Sequence, residues 1–144
     1  MTGPVIRAYR PTDDAALAAI DARIRTEATR LPLLLRAHAT GGFWVAERED
    51  GRVAGYIART FEFFDKDFIA LVVVDETLRR RGIAAALMRK IEATATGDRV
   101  FTSTNQSNTT MRAVLARLGY EPSGQIDNLD PGDPELVFVK FLQR

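Results

Sequence analysis

Three consecutive arginines, Arg79, Arg80 and Arg81, stand directly before Gly82, an order of residue types able to bind phosphate. Guanidinium groups supply the countercharge. Gly82 has no Cβ, so a ligand can approach the backbone closely there. Such a turn needs a strand and a helix to hold it. The β-branched run at residues 72–74 favours a strand. Beyond the turn, Ile83, Leu87 and Ile91 recur at helical spacing on an alanine-rich segment. The first N–H groups of that helix have no intrahelical partner and can bind an anion. An arginine cluster capping a surface helix is the alternative, but arginines at a helix N-terminus oppose the macrodipole.

From Arg79 to Ala84 the order is Arg-x-x-Gly-x-Ala. Here the chain resembles the GNAT superfamily of acyl-CoA-dependent N-acyltransferases, whose signature is Gln/Arg-x-x-Gly-x-Gly/Ala. The resemblance implies that the turn holds the pyrophosphate of coenzyme A and that the preceding strand offers backbone groups to the pantetheine arm. Expected coenzyme A contacts are therefore Val72, Val73, Val74, Arg79, Arg80, Arg81, Gly82, Ile83 and Ala84. The stretch from Asn108 to Tyr120 resembles the second signature, in which an asparagine begins a helix that Leu-Gly-Phe/Tyr closes. Asn108 joins the expected contacts.

Seven residues after that asparagine, many members carry a tyrosine that protonates the departing thiolate. This chain has Leu115, which cannot donate a proton. The hydroxyls of Ser103, Thr104 and Ser107 are nearby substitutes, and water is another. Several members place a carboxylate on the strand before the turn, at positions matching Phe68 or Ala70, and neither of these is a base. The nearest acids are Glu62, Asp65 and Asp67, of which Glu62 and Asp67 are the candidate bases. Surface turn residues are the alternative for each. An amine that arrives neutral needs only positioning against the thioester.

The 144 residues are expected to form one domain, residues 1–144, large enough for a proper core. A net charge of +1 and an apolar share of 46% lack the basic excess of nucleic-acid binders, so no nucleic-acid partner is expected. The longest apolar run, residues 68–74, is too short to cross a bilayer, so no membrane partner is expected either. The sequence opens without a signal-peptide pattern. Absence of cysteine excludes disulfides and thiolate nucleophiles and is compatible with a cytoplasmic location. His38 is the only histidine, so neither a triad nor a multi-histidine metal site can be built, and no metal is expected.

In chain order, residues 5–10 read as a strand, followed by a helix with Thr12 as N-cap, Asp13 and Asp14 in its first turn, and Leu17, Ile20 and Ile24 on one face. This opening also resembles that of many GNAT members. A second helical piece covers residues 26–38, interrupted or begun at Pro32. Its leucines, Leu31, Leu33, Leu34 and Leu35, are ordinary core or, by the resemblance, part of a roof over the acceptor. Residues 43–48 and 53–61 form a hairpin across Asp50-Gly51, and Gly55 marks a bulge or a close backbone neighbour. Residues 68–74 continue the meander. Residues 99–103 read as a strand, 108–118 as a helix stopped by Gly119, and 136–141 as a strand. The strand-helix-strand-helix order around the signatures places two parallel strands side by side.

Residues 124–135 form an acidic, turn-rich loop. The resemblance places it beside the acceptor pocket, with Asp127, Asn128, Asp130 and Asp133 as candidate ligands for a cationic amine. A solvated connector stiffened by Pro131 and Pro134 is the alternative. The sequence thus predicts an α/β (α+β) domain with a mixed, mostly antiparallel sheet flanked by helices. The resemblance implies acetyl transfer from acetyl-CoA to a primary amine of a small molecule or peptide. The other reading is a non-catalytic acyl-CoA-binding or sensing module. A homodimer is compatible with the sequence.

Overall fold

Strand-forming apolar segments assemble a seven-stranded sheet, which a computed structural model describes for residues 3–143. The strands are β1 Val5–Ala8, β2 Phe43–Glu47, β3 Val53–Phe63, β4 Lys66–Val74, β5 Arg99–Asn105, β6 Glu121–Ile126 and β7 Glu135–Phe141. They lie in the order β1-β2-β3-β4-β5-β7-β6. Every pairing is antiparallel except that of β4 with β5. The mixed, mostly antiparallel sheet expected from the sequence is therefore present.

Helices α1 Asp14–Ile20, α2 Arg23–Thr26 and α3 Arg30–Ala39 cover one face of β2 to β4, where Leu17, Leu34 and Ala37 pack on Phe43, Val45, Tyr56 and Ala58. Helices α4 Ile83–Thr94 and α5 Thr109–Arg117 cover the other face. There Ile83, Leu87, Met88, Ile91 and Leu115 meet Ala46, Ile57, Ile69, Val100 and Phe138. In β2 to β4 the period-two alternation sorts side chains between these two cores.

Several boundaries differ from the sequence reading, each for a local reason. Leu17, Ile20 and Ile24 do not share one helix, because buried Asp21 breaks it by accepting hydrogen bonds from Tyr56 Oη at 2.5 Å and Arg30 Nη1 at 3.0 Å. Thr12 caps nothing. It lies inside a 3-10 turn, Pro11–Asp13, where Asp13 accepts from Arg10 N and from both terminal nitrogens of Arg7. Pro32 sits in the first turn of α3, where its missing N–H leaves no bond unmade. Strand β4 starts at Lys66 because Phe64 and Asp65, at φ 54° and 59°, close a tight left-handed turn without glycine. Residues 124–126, expected in a loop, complete β6, a wholly exposed edge strand with no apolar alternation to announce it. Gly55 does have a close neighbour: a Cβ there would lie 2.6 Å from Val73 O.

Candidate active site

The residues after β4 build the turn. Asp75 accepts hydrogen bonds from Thr77 N at 3.0 Å and Thr77 Oγ1 at 2.9 Å, starting a single 3-10 turn, Glu76–Leu78. Those donors, with Arg52 and Arg48 nearby, hold the Asp75 carboxyl below the usual carboxylate range. Leu78 is buried and anchors the segment, while Arg79, Arg80, Arg81 and Gly82 are all exposed. Arg80 and Gly82 both adopt left-handed backbone, at φ 68° and 76°, and swing the chain into α4 with Gly82 as N-cap. Among the described residues no side chain caps this helix, and a Cβ on Gly82 would meet nothing within 4 Å. The first-turn N–H groups of α4 are therefore open to an anion. Ile83 is buried and contributes backbone rather than side chain. Arg81 and Ile83 also line a hollow of about 640 Å³ with Glu49 and Asp50 of the β2–β3 hairpin.

Beside the turn the sheet splits. Strands β4 and β5 are paired only at Phe68 with Phe101 and Ile69 with Thr102, and Thr102 Oγ1 donates to Ile69 O at 2.9 Å. Beyond that point β4 follows β3, and β5 follows β7. Ala70 is the extra residue of a bulge, since Arg59 faces Ile69 while Ala58 faces Leu71. Such a bulge bends its strand. From Ala70 to Val74 one edge of β4 consequently has no strand partner among the described residues. Val72 and Val74 pack toward α4 and Val73 toward the opposite core, so these valines offer the gap their backbone. Both parallel strands run toward the wide end, where α4 and α5 begin. Asn108 caps α5 there, its Oδ1 accepting from Met111 N at 3.1 Å. Ligands of open α/β sheets bind beyond the carboxyl ends of parallel strands.

The candidate acids do not gather at this gap. Glu62 is exposed and held by Arg36 through two hydrogen bonds, 2.6 and 3.2 Å. Asp65 occupies the tip of the β3–β4 turn. Asp67 is buried instead of lying on the surface: it accepts from Thr96 N at 3.2 Å and Thr96 Oγ1 at 2.7 Å, and Arg59 Nε lies 3.6 Å away. Its bonds tie β4 to the chain leaving α4, at the end of the sheet remote from Gly82. Of the acidic loop, Asp130 accepts from Asn105 Nδ2 at 2.9 Å, and Asp133 from Ser107 N and Oγ at 3.0 and 2.6 Å. These two acids pin the loop to the β5–α5 connection. Asp127 pairs with Gln125 Nε2 at 2.5 Å, and Asn128 is exposed. His38 is exposed on the last turn of α3 with its ring against Tyr9.

Leu115 is buried in the core beneath α5, 1% exposed. Nor does Tyr120 supply the acid, since its hydroxyl donates to Glu92 at 2.9 Å and burial pushes its pKa far up. Leu115→Tyr is accordingly expected to destabilise the fold by about 1–3 kcal/mol through overpacking, with no gain in turnover. Urea denaturation beside steady-state rates checks this.

The architecture and the turn have relatives. The model of the "Acetyltransferase (GNAT) family" matches residues 11–120. A GNAT-family acetyltransferase from Bacillus cereus ATCC 10987 is 29% identical, with a TM-score of 0.88 over 99% of this chain and 100% of that one. Ard1 from Thermoplasma volcanium is 20% identical, with a TM-score of 0.82 over 99% and 100%. A protein from Bacillus anthracis str. Ames, solved with acetyl coenzyme A, is 14% identical, with a TM-score of 0.64 over 69% of this chain and 61% of its own. No curated protein matches the sequence. The family model spans both the signature turn and the Asn108 helix within the 144 residues, and the chain belongs to the acetyltransferase (GNAT) family.

Proposed function

We propose that the protein transfers an acetyl group from acetyl-CoA directly to a primary amine of a small molecule or peptide. The observation that carries this reading is the uncapped N-terminus of α4 at the wide end of an unpaired β4 edge. In this reading the pyrophosphate binds the first N–H groups of α4 beside Gly82, with Arg79, Arg80 and Arg81 as countercharge. The pantetheine arm lies along Val72, Val73 and Val74 as an added strand, passing near Asn108. The thioester then arrives at the narrow end, near Ala70. With no cysteine in the chain, no acyl-cysteine intermediate can form, and transfer is direct. The family supports acyl transfer, and a similar fold holds acetyl coenzyme A. On the acceptor side, Asp127 and Asn128 remain candidates, whereas Asp130 and Asp133 act by holding the loop.

The test is calorimetric titration with coenzyme A, joined to thiol release from acetyl-CoA across a panel of amines. Saturable binding and amine-dependent release are expected. Binding without release for any acceptor would favour the non-catalytic acyl-CoA-binding module, which gains its support from Leu115 and from Phe68 and Ala70 in place of proton-transfer residues. Arg80→Ala should weaken coenzyme A binding by about 1–3 kcal/mol, as for one charge-assisted contact at an exposed turn.

A further inference from the structure

Glu135 opens β7 opposite Asn105 of β5, and Ser103 Oγ donates to Glu135 Oε2 at 2.7 Å. Leu136 and Phe138 pack into the α4/α5 core, so Glu135, Val137 and Val139 point to the opposite face. Val100 lies in the same core, which places Phe101, Ser103 and Asn105 on that opposite face as well. Helices α1 to α3 cover that face only over β2 to β4: no residue of β5, β6 or β7 enters their core among the described residues.

Height along the strands matters as much as face. Thr102 is the last β5 residue paired with β4, so Ser103 is the first residue past the fork, level with bulged Ala70. Glu135 thus reaches toward the narrow end of the gap. Three glutamates are partly buried: Glu47 pairs with Arg7 and Glu92 with Lys140, while Glu135 has no ion pair among the described residues. A carboxylate partly removed from water without a cation is poorly compensated. A ligand ammonium would supply the missing charge.

Next to it lies an apolar shelf. Phe101 is two residues from Ser103 on the same face, roughly 6.6 Å along the strand. Phe68 is its neighbour in β4, and Phe63 stacks on Phe68 with ring centroids 4.9 Å apart and lies 5.4 Å from Phe101. All three rings are partly exposed.

We propose that Glu135, held by Ser103, binds the ammonium of an arylalkyl primary amine whose ring rests on Phe63, Phe68 and Phe101. The proposal rests on the acetyl-transfer reading and names the acceptor class for it. Glu135 accepts one proton from the ammonium, and the freed nitrogen lone pair attacks the thioester carbonyl carbon. As the carbon–nitrogen bond forms and the carbon–sulfur bond breaks, the second nitrogen proton goes to the coenzyme A thiolate. Glu135 then returns its proton to solvent, so one free thiol, one amide and one proton leave.

The test titrates the full chain, saturated with coenzyme A, with phenethylamine, spermidine and neutral 2-phenylethanol. Phenethylamine should bind at least about tenfold more tightly than spermidine. Glu135→Gln should weaken phenethylamine by about tenfold to a hundredfold, as for a hydrogen bond to a charged group, yet leave coenzyme A and 2-phenylethanol affinities unchanged. Phe68→Ala should weaken both aromatic ligands. Absence of phenethylamine binding, equal binding of spermidine, or an unaffected Glu135→Gln variant would overturn the proposal while leaving the acetyl-transfer reading standing. So would a dimer in sedimentation that Phe68→Ala dissociates, because a second copy would then cover the shelf. Loss of coenzyme A binding in the unaltered protein would instead sink both.

Discussion

Replacing Gly82 by glutamate is expected to abolish measurable coenzyme A binding while the fold survives. The left-handed φ of 76° strains any side chain there, at a cost of about 1–2 kcal/mol, well below the stability of a typical domain at about 5–15 kcal/mol. Space is no obstacle, since a Cβ at this position meets nothing within 4 Å. A carboxylate at the N-terminus of α4 would itself satisfy the uncapped N–H groups and would repel a pyrophosphate from them. Gly82→Ala carries the same backbone strain without the charge and should keep most of the affinity. Calorimetry on both variants separates the causes, and unchanged affinity in the glutamate variant would refute the assigned site.

Asp67→Ala is expected to cost about 3–5 kcal/mol of folding stability, the usual consequence of stranding a buried charge. Asp67 is 2% exposed and Arg59 4%, and the alanine would leave Thr96 N–H and Oγ1 without their acceptor and the guanidinium, still hydrogen-bonded to Thr40, without its countercharge. Burial already pushes the Arg59 pKa down, with Asp67 opposing it. Glu62→Ala, by contrast, removes an exposed pair with Arg36 and should cost no more than about 1 kcal/mol. Urea denaturation distinguishes the two acids. An Asp67 variant of normal stability and lost turnover would restore this residue to the role of base.

The parts of this protein legible in the sequence are those where local chemistry and fold agree. Arg79 to Ala84 announced strand, turn and helix because glycine, arginine and the Ile83–Leu87–Ile91 spacing each carry a local preference. The parallel β4–β5 pair followed from element order. What stayed hidden depends on contacts far apart in the chain. Asp67 reads as one more turn acid until Thr96, across the whole of α4, donates to it. Asp21 breaks a helix only because Tyr56 and Arg30 reach it. Glu135 looked like the end of an acidic loop. Its value lies in the register that sets Ser103 at the fork, and no local pattern encodes a register between β5 and β7. Strand β6 was missed because each of its six residues is exposed, so the alternation that marks other strands is absent.

The fork between β4 and β5 also measures length. It is closed at Thr102, where a side chain bonds Ile69 O, and it widens toward Gly82. Five residues, Ala70 to Val74, separate those ends, about 16 Å at roughly 3.3 Å per residue. A guest anchored by an anion at α4 can deliver its far end to the fork only if it is slender and of about that length. In the acetyl-transfer reading, a shorter thioester would stop before Ser103. The unpaired β4 edge lies inside the sheet, between β3 and β5, instead of at the rim, so it is shielded from pairing with another chain's strand. In the acetyl-transfer reading proposed above, the same divergence would act as a ruler for the donor as well as a guard against aggregation.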